Sequence, residues 1–251
     1  MALLRSRQVQ IFRRQLSYLW VVKDSNRQLG CRGAQRRTRR SLRACTLATI
    51  LMIAACGSGR VSAGETDRIA EVLALESGKV VADVGAGDGD WTFRLAERVG
   101  AAGHVYATEV DEDELDKIRR RIRKGDHDNV TAVKGDQDRT SLEADCCDAI
   151  LLRLVYHHFT QPAVMRADLR RALRSGGLLA IIDIVPQKHW RELPEVPDRG
   201  GHGIPVEDLI QEMIDDGLDL VVQYDDWNGD KDRYCVVFAK GPIPASDREL
   251  H

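Results

Sequence analysis

From about residue 64 onward, the hydrophobic and polar positions of the chain predict strands that alternate with helices. Short and nearly continuous apolar runs, which are typical of strands buried on both faces, recur through the middle of the chain. These runs are residues 79–84, 104–108, 130–133, 149–152 and 178–184. Segments with apolar residues at helical spacing lie between and beside them, at residues 66–75, 91–99, 111–124, 161–174 and 206–216.

The last part of this region predicts a hairpin. Two strands, at residues 218–224 and 233–239, flank a polar turn at 225–230. Together with the preceding strand–helix units, the hairpin predicts an α/β protein with a doubly wound, Rossmann-like, seven-stranded sheet, mostly parallel with one antiparallel edge strand. The sequence therefore predicts one domain over residues 57–241, followed by a tail at 242–251.

One long insertion follows the fifth predicted strand. Residues 186–205 are rich in proline and glycine, and Trp190 and His202 are the side chains in it that are best able to contact a ligand. A connection of this length in a compact domain is more often a binding loop or a lid than filler. We therefore expect a mobile lid over the substrate pocket, and the alternative is a surface connection without ligand contact.

Charge divides the chain into a basic beginning and an acidic remainder. Of the 251 residues, residues 1–43 contain twelve Lys or Arg and one acid, whereas the rest contains 25 bases and 38 acids. A body with this excess of negative charge is not expected to bind nucleic acid. Aromatic residues make up only 5% of the chain, which also argues against stacking on bases.

The basic beginning leads into residues 44–55, which carry no charge and are mostly apolar or small. A basic region, a short apolar core and small residues before a cleavage point are typical of secretory signals. The ending Ile53-Ala54-Ala55-Cys56 resembles the lipobox of bacterial lipoproteins. That resemblance implies that residues 1–56 are a targeting segment, that Cys56 is lipidated, and that the protein lies in the cell envelope, lipid-anchored or periplasmic. The alternative is a translation start at Met52 and a cytoplasmic enzyme.

A glycine-rich loop follows the first predicted strand. Gly85, Gly87 and Gly89 let the backbone turn tightly and bring its N–H groups close to a ligand. A dinucleotide-binding loop would have its third glycine at the position of Asp90. Asp83 and a second acid in the loop give it negative charge, which suits a cationic ligand better than a pyrophosphate.

This loop and the motifs after it resemble the class I S-adenosylmethionine-dependent methyltransferases over about residues 64–241. The resemblance implies S-adenosylmethionine as the cofactor. It also implies that Glu109, at the end of the second strand, binds the ribose hydroxyls and that Asp136, after the third, approaches the adenine amino group. Arg153 follows the fourth strand, where a cation is unfavourable beside the sulfonium unless it binds an anionic acceptor or pairs with an acid. The predicted cofactor-binding residues are Asp83, Gly85, Gly87, Gly89, Glu109, Asp136 and Arg153.

Catalysis is expected in the segment after the fourth strand, beside the methyl group of the donor. Methyl transfer needs the donor and the acceptor in line, and sometimes a base that removes a proton. His157 is the candidate catalytic base because imidazole titrates near neutrality; the alternative is that His157 and His158 only pack the following turn. Asp183 at the end of the fifth strand is a further candidate, as are His189, Trp190 and His202 of the insertion. No Cys/His spacing indicates zinc, so no metal site is predicted.

The predicted function is methyl transfer from S-adenosylmethionine to a small-molecule acceptor. One alternative is a nicotinamide-dependent oxidoreductase, against which Asp90 argues because it replaces the third glycine. The other is a non-catalytic, envelope-attached binding protein that retains the fold. Turnover of the donor distinguishes this last alternative from an enzyme.

Overall fold

The computed structural model describes residues 63–125, 127–190 and 195–241, in which strands alternate with helices. The strands are β1 (Val80–Val84), β2 (His104–Glu109), β3 (Val130–Lys134), β4 (Cys147–Arg153), β5 (Leu173–Ile184), β6 (Asp219–Tyr224) and β7 (Arg233–Ala239). The helices are α1 (Ala63–Val72), α2 (Asp90–Val99), α3 (Glu112–Gly125), α4 (Pro162–Ala172) and α5 (Val206–Asp215). A short 3₁₀ helix, Tyr156–His158, follows β4.

In the described part of the chain, the strands form a seven-stranded sheet with the order β3-β2-β1-β4-β5-β7-β6. Strands β1 to β5 run parallel to one another, and β7 runs antiparallel to both β5 and β6. The prediction of a seven-stranded, mostly parallel α/β sheet with one antiparallel strand is confirmed. The antiparallel strand is β7, which is inserted between β5 and β6, so that β6 forms the end of the sheet.

The strand order reverses beside β1. The chain proceeds from β1 to β2 and β3 on one side, and then returns to place β4 on the other side of β1. In open α/β sheets, ligands bind in the crevice outside the carboxyl ends of the strands at such a reversal. The topology therefore directs attention to the loops that follow β1, β2, β3 and β4.

Both faces of the sheet are covered by helices. One core cluster includes Leu95 of α2 and Ile118 of α3, and the other includes Leu169 of α4 and Met213 of α5. Because successive residues of a strand point to opposite faces, a strand covered on both sides needs apolar residues at nearly every position. This requirement accounts for continuous apolar runs such as residues 149–152.

The boundary between α4 and β5 differs from the prediction. The Ser-Gly-Gly sequence at residues 175–177 predicts the end of a helix, but β5 already begins at Leu173, directly after α4. Leu173 is buried and pairs with Cys147 of β4, and the N–H of Gly176 donates to the carbonyl of Lys240 at 2.7 Å. The prediction was wrong here because pairing with distant strands outweighed the local helix-stop signal.

Two of the predicted segments, the targeting segment 1–56 and the tail 242–251, lie outside the described residues. Among the residues that the structure does describe, none of the helices has both the length and the apolar character needed to cross a membrane. The predicted insertion, residues 186–205, is described except for residues 191–194.

Candidate active site

A cavity of about 270 Å³ opens at the carboxyl ends of β1, β2, β3 and β4. Its lining includes Gly85 after β1, Glu109 at the end of β2, Asp136 after β3, and Val155 and His158 after β4. The volume lies just below the usual range for small-molecule pockets. Three of the predicted cofactor-binding residues therefore meet around one cavity.

Gly85 and Gly87 shape the loop after β1. Gly85 has a φ of +73°, and a Cβ at this position would lie 2.5 Å from Cγ2 of Val155. The N–H groups of Gly85 and Ala86 both donate to the carbonyl of Thr108, at 2.9 and 3.0 Å. A Cβ on Gly87 would have no heavy atom within 4 Å. The loop is thus tightly packed on one side and open on the other, where a ligand can approach the backbone.

Asp83 and Gly89 lie behind this loop, outside the cavity lining. The buried carboxylate of Asp83 accepts a hydrogen bond from Oγ1 of Thr92 at 2.7 Å. Burial raises the pKa of Asp83 to about 6, although the Thr92 hydrogen bond acts to lower it. A Cβ on Gly89 would lie 3.0 Å from the side chains of Phe93 and Ile118. Both residues fix the start of α2 against the sheet, and their contact with a cofactor stays a prediction.

The carboxylate of Glu109 is held by three backbone N–H groups. Its Oε2 accepts from the N–H of Gly87 at 2.8 Å, and its Oε1 accepts from the N–H groups of Val110 and Asp111 at 2.7 and 2.9 Å. A carboxylate offers about four acceptor positions, so these bonds leave one for a ligand in the cavity. Glu109 therefore both closes the glycine loop and presents an acceptor beside it.

Asp136 is positioned by the turn after β3. Its N–H donates to the carbonyl of Arg139 at 2.8 Å, and its Oδ1 accepts from the N–H of Gln137 at 2.9 Å. The N–H of Gly135 donates to the carbonyl of Glu109 at 3.0 Å, which ties this turn to the end of β2. The two acids of the cavity are thus held in a fixed relation by backbone hydrogen bonds.

Arg153, the remaining predicted cofactor-binding residue, pairs with an acid. Its Nε lies 3.2 Å from Oε1 of Glu65, and its guanidinium lies over the ring of Trp91. The same Glu65 oxygen accepts from Nε1 of Trp227 at 3.0 Å. Arg153 is not among the residues that line the cavity. Of the two roles expected for this cation, the geometry favours the pair with an acid, and contact with the cofactor stays a prediction.

The two adjacent histidines have different surroundings. His157 is buried; its Nδ1 lies 2.5 Å from Oδ1 of Asp183, and its backbone N–H donates to the other oxygen at 3.2 Å. His158 is more exposed and lines the cavity. Partial burial and the neighbouring imidazoles lower the pKa of His158 to about 4. His158 therefore contacts the cavity directly, whereas the role of His157 as a base stays a prediction.

The insertion brings His202 against both of these histidines. Nε2 of His202 lies 3.2 Å from Nε2 of His157, and the ring centroids of His202 and His158 are 5.5 Å apart. The N–H of Gln187 donates to the carbonyl of His202 at 2.8 Å, and the N–H of His202 donates back at 3.3 Å. A Cβ on Gly203 would lie 2.7 Å from the carbonyl oxygen of Ile184. Glycine at this position therefore lets the insertion return close to β5.

This convergence is the part of the site that the sequence did not predict. The sequence singles out His157, Asp183 and His202 as separate candidates, and the structure joins them in one hydrogen-bonded row. No local signal could reveal the contact, because His202 reaches His157 only through the bridge that closes the insertion. The predicted contacts of this insertion with a substrate, and its mobility, stay predictions.

The fold and the crevice define a Rossmann-like α/β domain whose ligand site lies at the strand-order reversal. Residues 81–177 match the family described as a methyltransferase domain. This part of the chain is therefore similar to a methyltransferase domain. The match includes the glycine loop, Glu109, Asp136 and the two adjacent histidines.

Comparison with known proteins adds two curated relatives and one solved structure. The chain is 29% identical over 112 residues to an arsenite methyltransferase of Halobacterium salinarum, covering 45% of this chain and 29% of that protein. It is 26% identical over 113 residues to a demethylmenaquinone methyltransferase of Listeria welshimeri, covering 45% and 48%. The chain thus spans less than half the length of these relatives.

A solved structure shares the fold. The S-adenosylmethionine-dependent methyltransferase of Aquifex aeolicus aligns with a TM-score of 0.59 at 22% identity, over 70% of this chain and 89% of that one. At this level of identity the likeness shows the architecture of the sheet and its helices. The chemistry of the protein has to be argued from its own site.

Proposed function

We propose that the protein transfers a methyl group from S-adenosylmethionine to a small-molecule acceptor. The observation that carries this proposal is the cavity at the strand-order reversal, where Gly85 of the glycine loop, Glu109 and Asp136 meet within the residues that match a methyltransferase domain. The curated relatives named above are described by small acceptors, arsenite and demethylmenaquinone.

The residues of the cavity fit the donor. The remaining acceptor position of Glu109 suits a ribose hydroxyl, and the carboxylate of Asp136 suits the amino group of adenine. Gly85 lines the cavity without a side chain of its own, so the donor can approach the backbone of the loop there. When bound, the donor supplies a methyl group on a positively charged sulfur. The acids around the crevice favour that charge, and methyl transfer would require an acceptor in line with the bond between sulfur and methyl.

Donor binding tests the first half of the proposal. Calorimetry with S-adenosylmethionine and with S-adenosylhomocysteine should show binding to the wild-type protein. In Glu109→Gln an amide NH₂ group replaces one acceptor oxygen, so one backbone N–H loses its partner and the ribose contact weakens. Loss of a hydrogen bond to a charged acceptor costs about 1.5–3 kcal/mol, which corresponds to roughly 10- to 150-fold in affinity.

The matched control is Glu112→Gln, which changes an exposed acid of α3 that pairs with Arg119 and Lys134 on the surface. This variant should bind the donor as the wild type does. Equal affinity in wild type and Glu109→Gln would remove Glu109 from the donor site. Binding without formation of S-adenosylhomocysteine across a panel of thiol, hydroxyl and metalloid acceptors would favour the non-catalytic alternative.

The targeting segment supports a second, separate proposal. The uncharged stretch 44–55 after a basic region, with the lipobox-like ending at Cys56, favours export and lipid attachment to the cell envelope. Mass spectrometry of the native protein should find an acylated Cys56 at the N-terminus, and Cys56→Ala should release the protein from membranes. A native N-terminus at Met52, in soluble cytoplasmic material, would contradict this proposal.

A further inference from the structure

Three imidazoles from two distant segments converge beside the cavity. His157 and His158 come from the 3₁₀ helix after β4, and His202 comes from the insertion after β5. One nitrogen of each ring lies within 4.8 Å of the corresponding nitrogens of the other two. We propose that His157, His158 and His202 bind one divalent late transition-metal ion, for which Zn²⁺ is the reference.

The spacing of the two Nε2 atoms fits two ligands of one ion. Zn–N bonds are about 2.0–2.1 Å long and structural sites are tetrahedral, so two ligating nitrogens are about 3.3 Å apart. Nε2 of His157 and Nε2 of His202 are 3.2 Å apart. An ion placed between them and toward His158 would replace their mutual contact with two metal–nitrogen bonds.

Asp183 prepares His157 for this role. Its carboxylate lies 2.5 Å from Nδ1 of His157 and is itself fixed by the N–H groups of His157 and Ile184. A metal-ligating histidine commonly donates its other ring N–H to a carboxylate, which fixes the tautomer and raises the basicity of the ligating nitrogen. Asp183 is wholly buried, so water does not compete with its carboxylate for Nδ1 of His157. It is a positioning residue that acts through His157.

His158 completes the set and connects it to the cavity. A ligating nitrogen as far as 4.8 Å from another must approach by about 1.5 Å to reach tetrahedral spacing. Rotation of this more exposed ring about its side-chain bonds can supply that change. Three protein nitrogens leave a fourth position for water or a ligand, which is the arrangement of catalytic rather than structural zinc sites. Because His158 lines the cavity, the ion would lie at the cavity wall.

The donor set also selects the class of ion. Imidazole nitrogens suit Zn²⁺, Co²⁺, Ni²⁺ and Cu²⁺, whereas Mg²⁺ and Ca²⁺ prefer oxygen ligands. The carboxylate at this place, Asp183, faces Nδ1 of His157 and belongs to the support of the ligand. Asp183, His157 and His202 can also interact by hydrogen bonds alone, without an ion. A measurement of metal binding distinguishes these two interpretations.

The test is metal stoichiometry of the full chain expressed without a histidine tag. After equilibrium dialysis against Zn²⁺ at a low, buffered free concentration with the total metal in excess, elemental analysis should find one ion per chain. His202→Ala and His158→Ala should each lose most of that ion. The matched control is His104→Ala, because His104 lies at the opposite end of β2 and contacts Thr131. Absence of stoichiometric metal in the wild type, or equal metal in His202→Ala, would overturn the proposal.

Cobalt substitution identifies the ligands. Co²⁺ in the proposed site should give the visible absorption of a four-coordinate nitrogen and oxygen environment, without the near-ultraviolet band of a cobalt–thiolate bond. A thiolate band that persists in His202→Ala would place the ion on cysteines and overturn the assignment. Both measurements are made without donor or acceptor, so they stand or fall independently of methyl transfer.

Asp183→Asn tests the positioning role. Loss of a carboxylate behind a ligating histidine typically weakens metal affinity 10- to 100-fold. Circular dichroism establishes that the variant is folded, and titration of Co²⁺ then measures affinity in the folded protein. Unchanged Co²⁺ affinity and spectrum in folded Asp183→Asn would show that Asp183 supports the fold and not the ion.

Discussion

The two sides of the crevice are held by different kinds of contact. On the side of β1, β2 and β3, backbone N–H groups hold a carboxylate, as those of Gly87 and Val110 hold Glu109. On the side of β4 and β5, backbone N–H groups also hold Asp183, but there side chains of separate segments contact one another, as Asp183 holds His157 and His157 meets His202. The first arrangement depends on the shape of short loops, and the second on the place where a long insertion returns to the sheet.

This difference has a physical consequence. Backbone donors are present whatever the side chains are, so the first side depends mainly on glycines that allow its loop conformation. The histidine side needs particular side chains, but it also needs the backbone of the insertion to pass close to β5. A glycine substitution in each loop should therefore affect one side at a time. The loss in the free energy of unfolding or of donor binding then shows how strongly each side depends on its backbone conformation.

The largest effect is expected from Gly203→Ala on the histidine side. Gly203 has a φ of +127°, and the new Cβ would lie 2.7 and 2.8 Å from the carbonyl oxygens of Ile184 and Val185, which cannot move aside as a side chain could. Backbone strain with this clash should lower the free energy of unfolding by about 2–4 kcal/mol in urea titrations.

The matched control for this variant is Gly200→Ala in the same insertion. Gly200 also has a positive φ, +81°, but a Cβ there would have no heavy atom within 4 Å. Its cost should be limited to backbone strain, roughly 1 kcal/mol. Equal destabilisation of the two variants would mean that the close approach to β5 does not hold the insertion in place.

The second prediction concerns Asp83, behind the glycine loop. Burial raises the pKa of this carboxyl from 3.8 to about 6, so the native state binds the proton more tightly than the unfolded state. The free energy of unfolding should therefore fall as the pH rises through about 4 to 6, by roughly 3 kcal/mol for a shift of two pKa units. Asp83→Asn keeps an acceptor for Thr92 and removes this dependence.

Urea titrations at about pH 4 and about pH 8 check the sign. The stability of Asp83→Asn relative to the wild type should rise between the two pH values by about 2–3 kcal/mol. Asp90→Asn, at an exposed acid beside the same loop, should show a smaller change. A wild type that gains as much stability as Asp83→Asn with rising pH would contradict the buried-acid interpretation.

Much of the fold could be predicted because its strands are buried on both faces. Runs such as residues 149–152 have no reason to be so apolar except a sheet covered on two sides. The register of β5 could not be predicted, because Leu173 enters the sheet through its pairing with Cys147, a residue far away in the sequence. Local helix-stop signals say nothing about such a partner.

The site divides in the same way. Glu109 and Asp136 could be placed because each follows a strand, and parallel strands bring their carboxyl ends to one edge. The pair between Arg153 and Glu65 could not, because Glu65 lies on α1 and its position depends on helix packing. The meeting of His157 and His202 depends on a loop conformation that composition does not determine.

Gly85→Ala is the corresponding test on the donor side, with a smaller expected effect. The new Cβ would lie 2.5 Å from Cγ2 and 3.0 Å from Cβ of Val155, so this β-branched side chain would have to shift as a whole with the loop after β4. Compared with Gly87→Ala, which has a positive φ without a clash, the variant should lose about 1–2 kcal/mol more in the free energy of donor binding or of unfolding. Calorimetry measures the free energy of donor binding, and urea titration measures the free energy of unfolding. Val155→Ala should partly restore Gly85→Ala, and failure to do so would locate the constraint in the backbone.

The smallest effect is expected at Arg153. Substitution of this residue distinguishes a role in supporting the crevice from a role in contacting the donor. Arg153 is paired with Glu65, which also accepts from Trp227, and the two side chains of the pair are 19% and 8% exposed. A double-mutant cycle with Arg153→Gln and Glu65→Gln should give a coupling of about 1 kcal/mol in the free energy of unfolding.

If Arg153 serves only this pair, donor affinity in folded Arg153→Gln should stay within about twofold of the wild type, a difference below roughly 0.5 kcal/mol. A tenfold loss of donor affinity with little coupling to Glu65 would instead place Arg153 on the donor. The donor side of the crevice would then include the end of β4 as well as β1, β2 and β3.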